Sequence, residues 1–254
     1  MSNSTACQLL VSANTLDECT VLQDLKVPWI DLKEPRHGAL GRPSLEMVTG
    51  FAFIMASDPQ SCNWSIAGGE LSDWEPSKDF AFLESLGSDG HIKWGLAQCE
   101  KALGWTRKLG SVVSQLPSPR QAILVHYADH QAVASPSWET VLQAAQDHGI
   151  DKILIDTAIK NGSTLLDWLP LPKLIESIHQ AHEQHSQIAI AGSIPLAKLD
   201  QLSELHPDWI GLRGAVCSDP SERTSNIDAK LVLRALAAVC KTGDPYAKPP
   251  AGIV

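Results

Sequence analysis

Eight short apolar runs recur along the chain at a regular beat, and that recurrence constrains the fold more than any other feature. They are QLLVSA (8–13), WIDLK (29–33), NWSIAG (63–68), HIKWGL (91–96), AILVHYAD (122–129), KILIDTA (152–158), IAIAGS (188–193) and WIGLRGAVC (209–217). Most are rich in Ile, Leu and Val with little strict alternation, as in parallel strands buried on both faces. Segments with helical spacing lie between them. In 136–148, Val141, Leu142 and Ala145 form a stripe, with Pro136 suited to a first turn and Gly149 to a stop. In 171–185 the stripe is Leu174, Ile175, Ile178 and Ala181. In 225–242 it is Leu231, Leu233, Leu236 and Val239, with Ser225 or Asn226 as cap. Shorter helices fit 15–25, 44–56, 76–86, 98–114 and 195–205. Strands alternating with helices predict βαβ units. Eight units in 254 residues match a closed (β/α)₈ TIM barrel. A doubly wound sheet is the rival, weakened because no G-x-G-x-x-G follows the first strand. The expectation is a single-domain barrel over residues 1–242, with a Pro- and Gly-rich tail at 243–254.

Charge narrows the function. Asp plus Glu is 29 against 20 for Lys plus Arg, a net charge of −9. Such a balance argues against a nucleic-acid partner and lets anionic substrates bind only where positive charge is concentrated. No run reaches the ~18 apolar residues of a membrane span, and MSNSTACQLLVSA lacks a secretory leader's basic and apolar regions. Six cysteines stand far apart with no C-x-x-C pair, the pattern of reduced thiols. The reading is a cytoplasmic protein with a small-molecule substrate and no membrane partner. A homo-oligomer is left open.

The informative residues are polar groups at the C-terminal ends of the runs, where a barrel carries its active site. Asp31 and Lys33 share one strand face by period-two alternation. Lys93 lies between Ile92 and Trp94. Asp156 ends the sixth run, with Lys160 just beyond. Gly192-Ser193 follows the seventh run and Arg213-Gly214 the eighth. Lysine in a buried strand costs several kcal/mol unless it is paired or shifts its pKa. Structural ion pairs, such as Asp31 with Lys33 or Lys93, explain any one of these lysines but poorly explain three at one rim. An amine crowded by cations and desolvated has a lowered pKa and can attack a carbonyl to form a Schiff base. A second amine or a carboxylate then moves protons. The turns at Gly192, Ser193, Arg213 and Gly214 sit where barrels bind phosphate, and an arginine fork suits its oxygens. His126 and Asp129 also stand at a strand end and are equally placed to line the site or not. His179, His182 and His185 read as a polar helix face, since H-E-x-x-H is absent. Cys217 reads as a small buried residue, and the eight Trp residues as packing. The residues alone describe a lysine-dependent barrel enzyme acting on a phosphorylated carbonyl compound, with no metal or dinucleotide signature.

At DLKEPRHGALG (31–41) the chain resembles the (5-formylfuran-3-yl)methyl phosphate synthase family, whose pattern there is close to D-V-K-x-P-x-x-G-S-L-G. Ala39 replaces its Ser. IKWGL (92–96), YAD (127–129), LIDTAIKNG (154–162), AGS (191–193) and GLRGAVC (211–217) follow in order, so the likeness spans residues 8–217. WSIAGGE (64–70) keeps only part of the family's third-strand pattern, which puts substrate contacts near Gly68 and Gly69 in question. The resemblance implies a (β/α)₈ barrel without metal or organic cofactor, acting in methanofuran-type C1-carrier biosynthesis. It implies a reaction joining two molecules of glyceraldehyde 3-phosphate into a furan with loss of one phosphate and two waters. It places Asp31, Lys33, Lys93, Asp156 and Lys160 in the catalytic set, with Lys33 as the Schiff-base lysine and Lys93 as proton acceptor. Two other readings remain at this point: a Schiff-base aldolase-type lyase using Lys160, and a non-catalytic barrel that binds a phosphorylated ligand.

Overall fold

The eight runs become eight parallel strands: β1 (Gln8–Ala13), β2 (Trp29–Leu32), β3 (Asn63–Glu70), β4 (His91–Gly95), β5 (Ala122–Tyr127), β6 (Lys152–Asp156), β7 (Gln187–Ile190) and β8 (Trp209–Leu212). In this computed structural model, which describes residues 6–58 and 62–240, β8 returns to pair with β1 and closes the barrel. The expected (β/α)₈ fold is therefore present, and the tail assigned to 243–254 lies outside the described residues. The runs lack alternation because both faces are covered. Outward-facing Ile30, Leu32, Ile66, Ile92, Trp94 and Ile155 pack under the helices. Inward-facing Trp29, Ala67, Ile123, Val125, Leu154, Ala189 and Trp209 fill the barrel. Trp29 and Trp209 meet edge to face with centroids 4.9 Å apart at the N-terminal ends of their strands. That plugs the bottom and leaves the polar inward positions for the mouth.

The outer layer holds α1 (Leu16–Asp24), α2 (Leu45–Ser57), α3 (Pro76–Glu84), α4 (Trp105–Val113), α5 (Trp138–Asp147), α6 (Leu165–Trp168), α7 (Leu171–Glu183), α8 (Leu199–Ser203) and α9 (Ala229–Cys240). Several expectations shift locally. The cap of α5 is Ser137, whose hydroxyl accepts the Thr140 N–H, so Pro136 lies just before the cap. α9 starts later than expected. Asp228, not Ser225 or Asn226, accepts the Lys230 N–H at 2.7 Å, and the buried stripe is Val232, Ala235 and Val239 while Leu233 is exposed. Ile175 likewise faces outward on α7. The segment 98–114 breaks at Gly104, whose φ of 81° splits a short 3₁₀ turn from α4.

On the β3–β5 side the mouth is closed by a buried contact. Tyr127 donates to Glu70 at 2.6 Å, and the Ala97 N–H donates to the other Glu70 oxygen at 2.8 Å. Gly95 sits directly beneath, where a Cβ would collide with both Glu70 Oε2 and Tyr127 Oη. Gly95→Ala should therefore destabilise the barrel by about 1–3 kcal/mol, the usual cost of overpacking, read as a lower denaturation midpoint. An unchanged midpoint would show that this side of the mouth can yield.

Candidate active site

The site is built from inward positions on neighbouring strands. Register places Asp31 level with Ser12 on β1 and Ser65 on β3. Both hydroxyls donate to its carboxylate, Ser65 at 2.7 Å and Ser12 at 3.0 Å. Lys93, from β4, reaches the same carboxylate at 2.6 Å with both side chains almost wholly buried. A buried charge pair is tolerable only when its remaining lone pairs are filled, and the two serines do that here. On the next side of the mouth, Asp156 accepts from Lys160 at 2.9 Å and from the Thr157 N–H at 2.7 Å. Burial opposes its charge, but Lys160, Lys33 and these hydrogen bonds outweigh burial and hold the carboxyl below its ordinary pKa. Asp129 accepts the Ala158 and Ile159 N–H groups at 2.8 and 2.7 Å, fixing the loop that carries Lys160.

Lys33 is different. Its Nζ has no hydrogen-bonding or ion-pair partner among the described residues. Burial pushes its pKa down to about 7, with Arg223 and Lys93 pushing the same way against Asp156 and Asp31. The three lysines thus divide into two that are paired and one amine that is poised to be neutral.

A cavity of about 790 Å³ opens over these groups, a size typical of ligand sites. Lys33, Lys93, Asp156 and Lys160 line it, as do Gly192, Ser193, Arg213, Gly214 and Arg223. Asp31 lies just behind, reached through Lys93. Gly192 adopts a φ of 114°, open to glycine and strained for other residues, and a Cβ there would press on Thr157. The neighbouring Ser193 and Ile194 N–H groups take no acceptor among the described residues.

Arg213 does not serve as expected. All five of its N–H donors are occupied by the protein. Nη1 donates to Glu18 at 2.6 Å and to the Ser12 carbonyl at 3.0 Å; Nη2 donates to Glu18 at 3.2 Å and to the Ser225 carbonyl at 2.9 Å; Nε donates to the Arg223 carbonyl at 3.0 Å. No fork is left for a phosphate. Glu18 also accepts the Ile227 N–H at 2.9 Å, so the buried pair ties α1 to the loop between β8 and α9. Sequence reasoning missed Glu18 and Arg223. Glu18 stands among the buried positions of α1 beside Cys19 and Leu22, where an acid calls for a partner. Arg223 is an isolated arginine in the polar stretch SDPSERTS, just where barrels hold phosphate.

Other marked residues lie elsewhere. His126 points outward, buried against Trp138, with its pKa lowered to about 4 by burial. It does not line the cavity, and neither does Asp129. His179 and His182 pair with Glu183 and Asp208 on the surface. Cys217 is buried, with its thiol pKa raised by burial. Gly68 and Gly69 sit outside the cavity, where Arg42 bonds the Gly68 carbonyl at 3.0 Å. Among the described residues, no three His, Cys, Asp or Glu side chains gather as a metal site.

The family model described as 4-HFC-P synthase matches residues 9–236. The chain belongs to that family. It is 27% identical over 242 residues to the (5-formylfuran-3-yl)methyl phosphate synthase of Methanococcus maripaludis, covering 92% of this chain and 99% of that protein. It is 28% identical over 216 residues to the synthase of the same name from Methanocaldococcus jannaschii, covering 84% and 90%. Among solved structures, phosphoribosyl anthranilate isomerase from Thermus thermophilus superposes with a TM-score of 0.60 at 13% identity, covering 92% and 99%. 3-Hexulose-6-phosphate synthase from Salmonella typhimurium gives 0.59 at 14%, covering 91% and 98%. These two likenesses show the barrel fold alone. Membership of a synthase family makes the chain an enzyme, and no described helix is long and apolar enough to cross a membrane.

The role of Arg213 is testable. Glu18→Gln leaves a buried guanidinium without its counter-charge and should cost about 3–5 kcal/mol of stability, measured by chemical denaturation. A loss under ~1 kcal/mol, the range of an exposed pair, would show that the pair does not anchor the loop.

Proposed function

We propose that this enzyme condenses two molecules of glyceraldehyde 3-phosphate to (5-formylfuran-3-yl)methyl phosphate through an imine on Lys33, as a step in methanofuran-type C1-carrier biosynthesis. The observation that carries this reading is the unpaired Lys33 amine beside two lysines already bound to carboxylates. Only an unprotonated amine is a nucleophile. Lys33 has its pKa near neutrality, so a large share of it is reactive at pH 7.

The chemistry follows from the arrangement. Lys33 Nζ adds to a triose carbonyl carbon and water leaves. The imine acidifies the adjacent C–H; Lys93 passes a proton to the Asp31 carboxylate bonded to it at 2.6 Å and, as the neutral amine, takes the C–H proton. The enamine carbon attacks the aldehyde of the second triose and forms the carbon–carbon bond. Phosphate departs by β-elimination, the ionised Asp156 taking the carbon-bound proton and Lys160 supplying a proton to the leaving oxygen. Ring closure with dehydration builds the furan, and water releases Lys33. The water lost on imine formation returns on its hydrolysis, so one phosphate and two waters are lost overall. The Gly192–Ser193 turn and Gly214 receive a substrate phosphate through backbone N–H groups. No step calls for a metal or organic cofactor, and dialysis against a strong chelator should leave the rate unchanged. Loss restored by zinc or magnesium would overturn that part.

The protein incubated with glyceraldehyde 3-phosphate alone should develop furan absorbance and release one phosphate per furan. Absence of the furan would sink the proposed reaction.

Residue roles are separable. Borohydride with substrate should reduce an adduct onto Lys33. Lys33→Arg should abolish trapping and turnover, because guanidinium cannot form the imine. Lys93→Arg should still trap while losing about 10²–10⁴-fold in turnover, the worth of a general base. The label found on Lys160 by peptide mapping would instead favour an aldolase-type lyase.

Trapping should also depend on pH. Below pH 7 Lys33 is an ammonium and cannot attack, so the trapping rate should climb as pH rises through about 7 and level off above it. A rate that keeps rising towards the ordinary lysine pKa would show that the site does not depress it.

A further inference from the structure

We propose that Arg223, carried on the loop between β8 and α9, is the side chain that grips the substrate's phosphate, and that the Glu18–Arg213 pair exists to hold it there. The first part rests on where the two arginines send their donors. Arg213, the arginine next to the strand, has no N–H left to give. Arg223 lines the cavity, and among the described residues its guanidinium has no hydrogen-bonding or ion-pair partner. The protein uses only its main chain: the Arg223 carbonyl accepts from Arg213 Nε at 3.0 Å. A half-buried guanidinium without an acceptor, facing a cavity beside two paired lysines, fits an oxyanion with two acceptors in one plane, which a phosphate monoester presents.

The second part rests on how the loop is held. Its carbonyls at Arg223 and Ser225 accept from Arg213, its Ile227 N–H donates to Glu18, and Arg213 also holds the Ser12 carbonyl of β1. A long side chain on an untethered loop would lose much rotamer freedom on gripping a ligand. Pinning the backbone at Arg223 and at Ser225 and Ile227 after it removes part of that loss in advance.

This inference deepens the proposed condensation and rests on its assignment of a phosphorylated substrate, but its test does not depend on furan formation. The probe is inorganic phosphate, titrated calorimetrically into the wild type and into Arg223→Met and Arg223→Lys. Arg223→Met should weaken phosphate binding about 10–100-fold, and Arg223→Lys by less, since lysine keeps the charge and loses the fork. Both variants should melt within a few degrees of the wild type, because the guanidinium has no hydrogen bond or ion pair to a described residue to lose. Because the Arg223 charge also helps lower the Lys33 pKa, the trapping comparison is run well above pH 7, where the amine is neutral in either protein. Borohydride trapping of Lys33 with unphosphorylated glyceraldehyde should then survive in Arg223→Met, while trapping with glyceraldehyde 3-phosphate should need a much higher concentration. A merely structural Arg223 would impair both trappings alike, and that result would overturn the proposal. So would undiminished phosphate binding by Arg223→Met, or a wild type that binds no phosphate. A wild type that binds phosphate through Arg223 yet forms no furan would refute the condensation and leave this inference standing.

Discussion

Three lysines converge on the barrel mouth, and two aspartates are there to meet them. That shortage of one carboxylate governs the site. Asp31 is engaged by Lys93, Ser12 and Ser65, and Asp156 by Lys160 and a backbone N–H. Each aspartate is thereby committed to one amine, and neither has a contact left for Lys33. A buried ammonium with no bonded counter-charge gives up its proton more readily than one in water. The lowered pKa of Lys33 therefore comes first from burial, and the neighbouring pairs leave it no bonded carboxylate to offset that. A carboxylate bonded to Lys33 would restore its proton.

The barrel makes this arithmetic possible by register. Period-two alternation turns Asp31 and Lys33 inward from one strand, and the level pairing of β1, β2 and β3 brings Ser12 and Ser65 to Asp31. The mouth is then divided. Tyr127 and Glu70 close the β3–β5 side, so the cavity lies towards β6, β7, β8 and the loops that follow them. On that side the second buried pair, Arg213 with Glu18, acts mechanically. It joins the start of the outer layer to the last loop of the barrel.

Much of this was legible in the sequence. Eight apolar runs without alternation implied strands covered on both faces, and the inward residues at their ends implied a cationic mouth. Asp31, Lys33, Lys93, Asp156 and Lys160 do meet there. What could not be read was partner choice. Whether Asp31 binds Lys33 or Lys93 is settled by strand register and by side-chain reach across the barrel, which no spacing within one run encodes. Arg213 stood at the right place for phosphate, but its donors were claimed by Glu18, nearly two hundred residues away in the chain. Helix edges slipped for a local reason. The caps at Ser137 and Asp228 lie within a few residues of the expected ones, among several polar residues able to cap.

An unpaired buried lysine carries a thermodynamic consequence. Its folded pKa of about 7 lies below its ordinary 10.5. At low pH both folded and unfolded chains hold the proton, and the fold bears the full penalty of burying it. Between about 7 and 10.5 the unfolded chain binds a proton that the folded chain does not, so stability rises with pH across that window. Near neutrality the enzyme is therefore held below its attainable stability by this one unpaired amine. An anion that entered the cavity would bring the counter-charge that the mouth lacks. Binding of such an anion and relief of that penalty would then be one event, by which a protein of net charge −9 can keep a cationic mouth.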